Sequence, residues 1–147
     1  MPMPVTPGWK TAAMVSQTSL RITCVFALEE IPRGRMVIEF TGRRLSPRQA
    51  DSASEARTIY LASLADGRAI DPSVGGSGAE FVNHSCNPNL RWRRIRGRLF
   101  FFSRRRIRAG KELSVNYNYP KRIRRIPCRC GARGCSGTLR YYILPST

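Results

Sequence analysis

A chain of 147 residues is long enough for one domain with a buried core and too short for two. Its 26 lysines and arginines against nine acidic residues leave a net charge of +17, a field that draws polyanions and repels a free basic peptide. No run of eighteen apolar residues argues for a membrane-spanning helix, and five unevenly spaced cysteines are too few for a disulfide scaffold.

The opening, Met1 to Gly8, carries Pro2, Pro4 and Pro7 and no apolar stretch, so residues 1–15 are expected to be a loose leader and not a signal peptide. Ser19 to Ala27, rich in branched and aromatic side chains, predicts a strand. Ile31-Pro32-Arg33-Gly34 is a turn, and Met36 to Phe40 a second strand that Thr41-Gly42 breaks. Ser46 is an N-cap, with Pro47 at the first helical position and Gln49 completing a capping box. Ala50, Ala53 and Ala56 give that short helix a face of small residues. Thr58 to Leu64 predicts a strand, Asp66-Gly67 a hairpin turn and Arg68 to Asp71 the return. Val74 to Gly78 is a glycine-rich lead into the centre of the chain.

That centre, Phe81 to Asn89, holds the only histidine, three asparagines, a cysteine and a proline that stops any helix. Polar groups packed behind the apolar Phe81-Val82 pair imply a buried, irregular segment whose side chains must all find partners. A lone histidine is more often structural, and Asn-Pro-Asn alone is only a turn, so the weight comes from residues nearer the C-terminus. Leu90 to Ile95 and Leu99 to Phe102 predict two strands joined by a hairpin at Arg96-Gly97-Arg98. Three consecutive phenylalanines cannot share one face of a strand, so a partner element must cover at least one. Ala109-Gly110-Lys111 turns into the last core strand, Glu112 to Tyr117.

The run from Cys128 to Cys135 has the spacing C-x-C-x4-C among glycines and arginines. Two cysteines one residue apart do not easily serve separate disulfides, whereas a tetrahedral zinc accepts thiolates from so tight a loop. Zinc wants four ligands and this run supplies three. A free-standing zinc knuckle on nucleic acid is the alternative, but it leaves Cys86 and Tyr117 without a role.

Taken in order, Asn83-His84-Ser85-Cys86-Asn87-Pro88-Asn89, then Glu112-Leu113-Ser114-Val115-Asn116-Tyr117, then the cysteine run resemble the SET-domain protein lysine methyltransferases with a post-SET zinc segment. The resemblance covers roughly residues 16–142. It implies a mainly β fold of short strands with little helix, a C-terminal pseudoknot and a zinc-bound tail, with residues 16–120 as the SET domain and 121–147 as the post-SET segment and tail. It implies S-adenosylmethionine-dependent protein-lysine N-methyltransferase activity. Tyr117 then takes the place of the catalytic tyrosine, and Tyr60 of the tyrosine lining the lysine channel. Asn83, His84, Thr23 and Leu139 fall where the family holds its cofactor. Cys86 becomes the fourth zinc ligand beside Cys128, Cys130 and Cys135, leaving Cys24 over. Trp92 and Val115 stand where the number of added methyl groups is set.

Departures from the family pattern are specific. Ile22 and Cys24 replace two glycines that let the backbone approach the cofactor. Glu80 replaces an arginine, where it either pairs with one of the chain's own arginines or disfavours the cofactor's carboxylate, and Asn116 replaces an aspartate. A second reading therefore stands beside the enzyme: a catalytically weakened SET-like module that binds nucleic acid or protein partners through its arginine-rich surface.

All basic residues except Lys10, Lys111 and Lys121 are arginines, clustered at residues 91–98, 104–108 and 121–125. Such clusters are often only solvated strand faces, and an arginine bias can follow genomic base composition. As a binding surface they suit a monomer whose protein substrate is a histone or another nucleic-acid-associated protein, with direct contact to DNA or RNA. Thiolate zinc ligands imply a reducing interior, such as a nucleus, or the chromosome itself.

Overall fold

The computed structural model describes residues 11–17, 22–54, 61–117, 127–128 and 130–137. Strands β1 (Thr11–Gln17) and β2 (Ile22–Ala27) form an antiparallel pair, so residues 11–15, expected in a loose leader, are strand instead. Pairing with the Ile22–Ala27 backbone overrides the weak local signal before it.

β3 (Met36–Phe40), β8 (Leu90–Ile95) and β9 (Arg98–Ser103) form an antiparallel sheet in the order β3-β9-β8. Arg96 (φ 48°) and Gly97 (φ 73°) link β8 to β9, two left-handed residues in a row, the backbone that a two-residue hairpin needs to match strand twist. Arg98, expected in the turn, opens β9.

β4 (Arg43–Leu45), β5 (Ala62–Ser63) and β6 (Ala69–Asp71) form a second sheet in the order β4-β6-β5, and helix α1 (Pro47–Ser54) follows β4. The capping box forms as its residue types predict: the Gln49 N–H donates to Ser46 Oγ at 3.2 Å and the Ser46 N–H to Gln49 Oε1 at 2.9 Å. Gly42, just before β4, lies so close to the Asp71 backbone that a Cβ there would strike its carbonyl oxygen. Of the strand expected from Thr58, residues 58–60 lie outside the described residues and only Ala62–Ser63 pair.

β7 (Asn83–His84) and β10 (Ser114–Val115) run parallel, bringing the centre of the chain beside its last strand. Glu112 to Tyr117 is shorter as a ladder than expected because side chains take its backbone donors. The Ser114 N–H goes to Asn89 Oδ1 and the Tyr117 N–H to His84 Nδ1.

One apolar core joins these pieces, with Phe40, Val82, Leu90, Phe101, Leu113 and Val115 among its buried members. Among the described residues no helix is long and apolar enough to cross a membrane.

Candidate active site and metal centre

Asn89 shows how the centre of the chain is held. Only 8% exposed, it donates from Nδ2 to the Glu112 carbonyl at 2.8 Å and accepts the Ser114 N–H on Oδ1 at 2.9 Å. Its own carbonyl accepts the Arg104 N–H. The sequence suggested only a turn here, because nothing local says that a polar side chain after Pro88 will be buried and clasp a strand 23 residues on.

β7 and β10 set Tyr117 beside His84, with ring centroids 5.3 Å apart. The Tyr117 hydroxyl donates to the Val82 carbonyl at 3.2 Å, and the Tyr117 N–H donates to His84 Nδ1 at 3.1 Å. Burial lowers the His84 pKa, which favours the neutral ring. A neutral imidazole carries one N–H, and an accepting Nδ1 places it on Nε2. That Nε2 lies 3.5 Å from Cys86 Sγ, so His84 donates to the sulfur.

The tautomer decides between two possible ligand sets. The ligand atoms of His84, Cys86, Cys128 and Cys130 lie within 4.8 Å of one another, a grouping that includes the histidine. An Nε2 that bears a proton has no lone pair for a metal, so His84 belongs outside the ligand shell as a donor to one of its thiolates. Cys135, expected from the sequence as a ligand, offers a fourth sulfur. Its Sγ is 3.7 Å from Cys86 Sγ, the same as the separation of Cys86 from Cys128. Four sulfurs about 2.3 Å from a tetrahedral zinc sit about 3.8 Å apart, so the cluster fits zinc. Burial pushes the Cys128 thiol up. Burial also acts on Cys130, but N–H donors from Cys86 and Ala132, together with hydrogen bonds to the Cys128 and Cys135 thiols, bring that thiol down.

Asn83 directs its carboxamide inward, donating to Cys24 Sγ at 3.4 Å and to Glu112 Oε1 at 3.1 Å. Burial, and then the Glu112 carboxylate, raise the Cys24 thiol. The cysteine left over by the zinc count therefore braces a residue expected at the cofactor, a contact no spacing in the sequence foretold. Thr23 lies on β2, in register with Ser16. Tyr60 and Leu139 lie outside the described residues. Trp92 packs on Phe101 at 4.4 Å and donates from Nε1 to the Asn116 carbonyl at 2.7 Å, and Val115 is buried. Glu80 forms no ion pair among the described residues. Its Oε2 accepts the Gly78 N–H at 2.9 Å, so among the described residues it holds the backbone of its own turn.

Comparison with known proteins agrees with this geometry. The family model for the SET domain matches residues 23–118. Histone-lysine N-methyltransferase SETD1 of Drosophila melanogaster is 35% identical over 78% of this chain, and histone-lysine N-methyltransferase ATXR7 of Arabidopsis thaliana 37% over 72%. The H3 lysine-4 specific histone-lysine N-methyltransferase of Schizosaccharomyces pombe is 34% identical over 78%. The chain spans only 8%, 8% and 14% of the length of those three relatives. Among solved structures, that of KRYPTONITE in complex with mCHG DNA and SAH superposes with a TM-score of 0.68 at 25% identity, over 86% of this chain and 28% of that one. A mainly β fold with one α-helix among the described residues and a central Asn-His-Ser-Cys clasped to β10 coincide with the matched segment, and cysteines beyond it meet Cys86: the chain belongs to the SET-domain family.

Proposed function

We propose that the chain is an S-adenosylmethionine-dependent protein-lysine N-methyltransferase acting on a histone or another nucleic-acid-associated protein, in a nucleus or on a chromosome. The observation that carries the proposal is Tyr117, fixed by backbone and hydroxyl between His84 and Val82. Residues 16–120 form its SET domain and 121–147 its post-SET segment. The curated relatives named above are histone-lysine methyltransferases and the solved neighbour holds SAH, which supports both substrate class and cofactor.

The bound cofactor supplies a methyl group on a sulfonium. Everything else falls to this chain. A lysine amine has a reference pKa near ~10.4 and attacks only when neutral, so a half-buried approach that disfavours ammonium supplies reactive amine. Tyr117 is half-buried against the core, where its hydroxyl and the Val82 carbonyl orient that amine for in-line attack. Asn83 and His84 hold the cofactor through β7, whose outer edge has no strand partner in its two-stranded sheet. Thr23 and Leu139 complete that contact, and Tyr60 lines the lysine channel. Cys86, Cys128, Cys130 and Cys135 hold zinc, which fastens the tail beside Tyr117.

Incubation with labelled cofactor and core histones tests the assignment. Tyr117→Phe is expected to cut labelling roughly a hundredfold, since catalysis here is alignment. Equal labelling by variant and wild type would overturn the role given to the hydroxyl. Cys24, occupying the side of Asn83 where the family has glycine, supports the second reading, a weakened module; a wild type that neither binds the cofactor nor labels histones would establish it.

A further inference from the structure

The sheet β3-β9-β8 has two unlike faces. Register places Trp92, Phe101 and Ile38 in one row, which packs into the core, and Arg93, Phe100 and Glu39 in the next, which faces outward. Phe100 is 2% exposed and yet lies outside the core cluster. Its cover is arginine: the Arg98 guanidinium lies 5.2 Å over its ring, tied by two bonds to Glu39. The Arg93 guanidinium lies 5.0 Å over Phe102, and Arg91 pairs in register with Phe102.

Charge on this face is not balanced. Glu39 neutralises Arg98, but Arg91 and Arg93 are exposed and form no ion pair among the described residues. The other ion pairs among the described residues lie elsewhere: Asp71 with Arg43, Asp66 with Arg68, Glu30 with Arg106. Arginines two apart on a strand are spaced by about 6.8 Å. Consecutive phosphates of one DNA strand, which rise about 3.4 Å along the axis while winding around it, stand roughly 7 Å apart. A guanidinium held over an aromatic ring is also restrained before any ligand arrives, and its planar fork suits phosphate oxygens better than an ammonium does.

We infer that the outer face of this sheet, with Arg91 and Arg93 at its centre, docks the phosphate backbone of duplex DNA. The inference deepens the proposed function and rests on it for its purpose: a substrate carried on DNA is brought to the site by a surface separate from Tyr117. Binding is sequence-independent, because the face offers guanidinium forks and no element shaped for a groove.

Fluorescence anisotropy of the full chain on a mixed-sequence duplex of about twenty base pairs, titrated across salt, tests the face. Arg91→Gln with Arg93→Gln should flatten the slope of log affinity against log salt by about 1.8, near 0.9 per lost phosphate contact. Arg93→Lys keeps the charge without the planar fork and should weaken binding with little change of slope. Arg33→Gln with Arg108→Gln removes equal charge from exposed positions off this sheet and should leave both nearly unchanged. Equal loss in the two double variants would mean diffuse attraction and overturn the inference. So would a wild type that ignores the duplex, or an acidic peptide that displaces it at equal charge concentration. Methylation of a free histone-tail peptide, measured alongside, reports separately: its survival in the Arg91/Arg93 variant is expected, and its absence in wild type tells against the proposed function alone.

Discussion

Two regions of this molecule are built on opposite logic. The corner around α1 and the β5–β6 turn is held largely by neighbours in the chain, a capping box between Ser46 and Gln49 and a tight turn in which the Leu64 N–H reaches the Arg68 carbonyl, with the β4–β6 pairing as its longer-range link. The region around β7 and β10 is assembled from segments far apart, with Asn89 clasping residues 112 and 114, His84 holding Tyr117, and Cys86 meeting Cys128 and Cys135. Local order of the first kind survives single losses. The second kind depends on each long-range polar partner, because an orphaned buried group costs more than a formed bond contributes.

The largest effect should come from the cysteine cluster. Metal binding to a thiolate shell is also folding energy, on the order of 10 kcal/mol in small zinc modules. Cys135→Ser should therefore drop zinc affinity by orders of magnitude in a chelator competition and release the tail, while α1 keeps its helical signal. His84→Gln should retain one zinc per chain, since its Nε2 donates to Cys86 and does not ligate. The reverse result, zinc retained without Cys135 and lost without His84, would move the ligand set to the histidine.

Next comes Asn89→Ala. It strands the Glu112 carbonyl and the Ser114 N–H in a buried place, at a cost of roughly 2–3 kcal/mol for the orphaned pair. Urea unfolding should show that loss in the midpoint with an unchanged slope. A loss below about 0.5 kcal/mol, the size of an ordinary surface change, would remove Asn89 as the clasp.

The same contrast explains what could be learned from residues alone. The capping box at Ser46 to Gln49, strands β3, β8 and β9, and the turn at Asp66-Gly67 follow from local chemistry and appear where those residues put them. The cysteine cluster was legible because its spacing is itself a metal signature, and resemblance supplied Cys86 as the partner that spacing could not. Three things were not legible. The burial of Asn89, the brace from Cys24 to Asn83 and the outward turn of Phe100 under Arg98 all depend on which distant segment lies opposite, and no window of neighbouring residues holds that information. The pairing of β1 with β2 failed for the same reason: residues 11–15 look like a leader until Cys24 and Val25 are laid beside them.

The smallest effect tests the locally built corner. Ser46→Ala removes the oxygen that accepts the Gln49 N–H, while the backbone N–H that Gln49 Oε1 accepts stays in place. The lost cap is worth about 1 kcal/mol. Ser46 is exposed, so no buried group is orphaned and water replaces what is lost. The cysteine cluster and Tyr117 lie on other elements than this corner, so labelling of histones by Ser46→Ala should match wild type while the unfolding midpoint falls by a few degrees. If zinc affinity fell with it, the two regions would be one cooperative unit, and the separation drawn from their construction would fail.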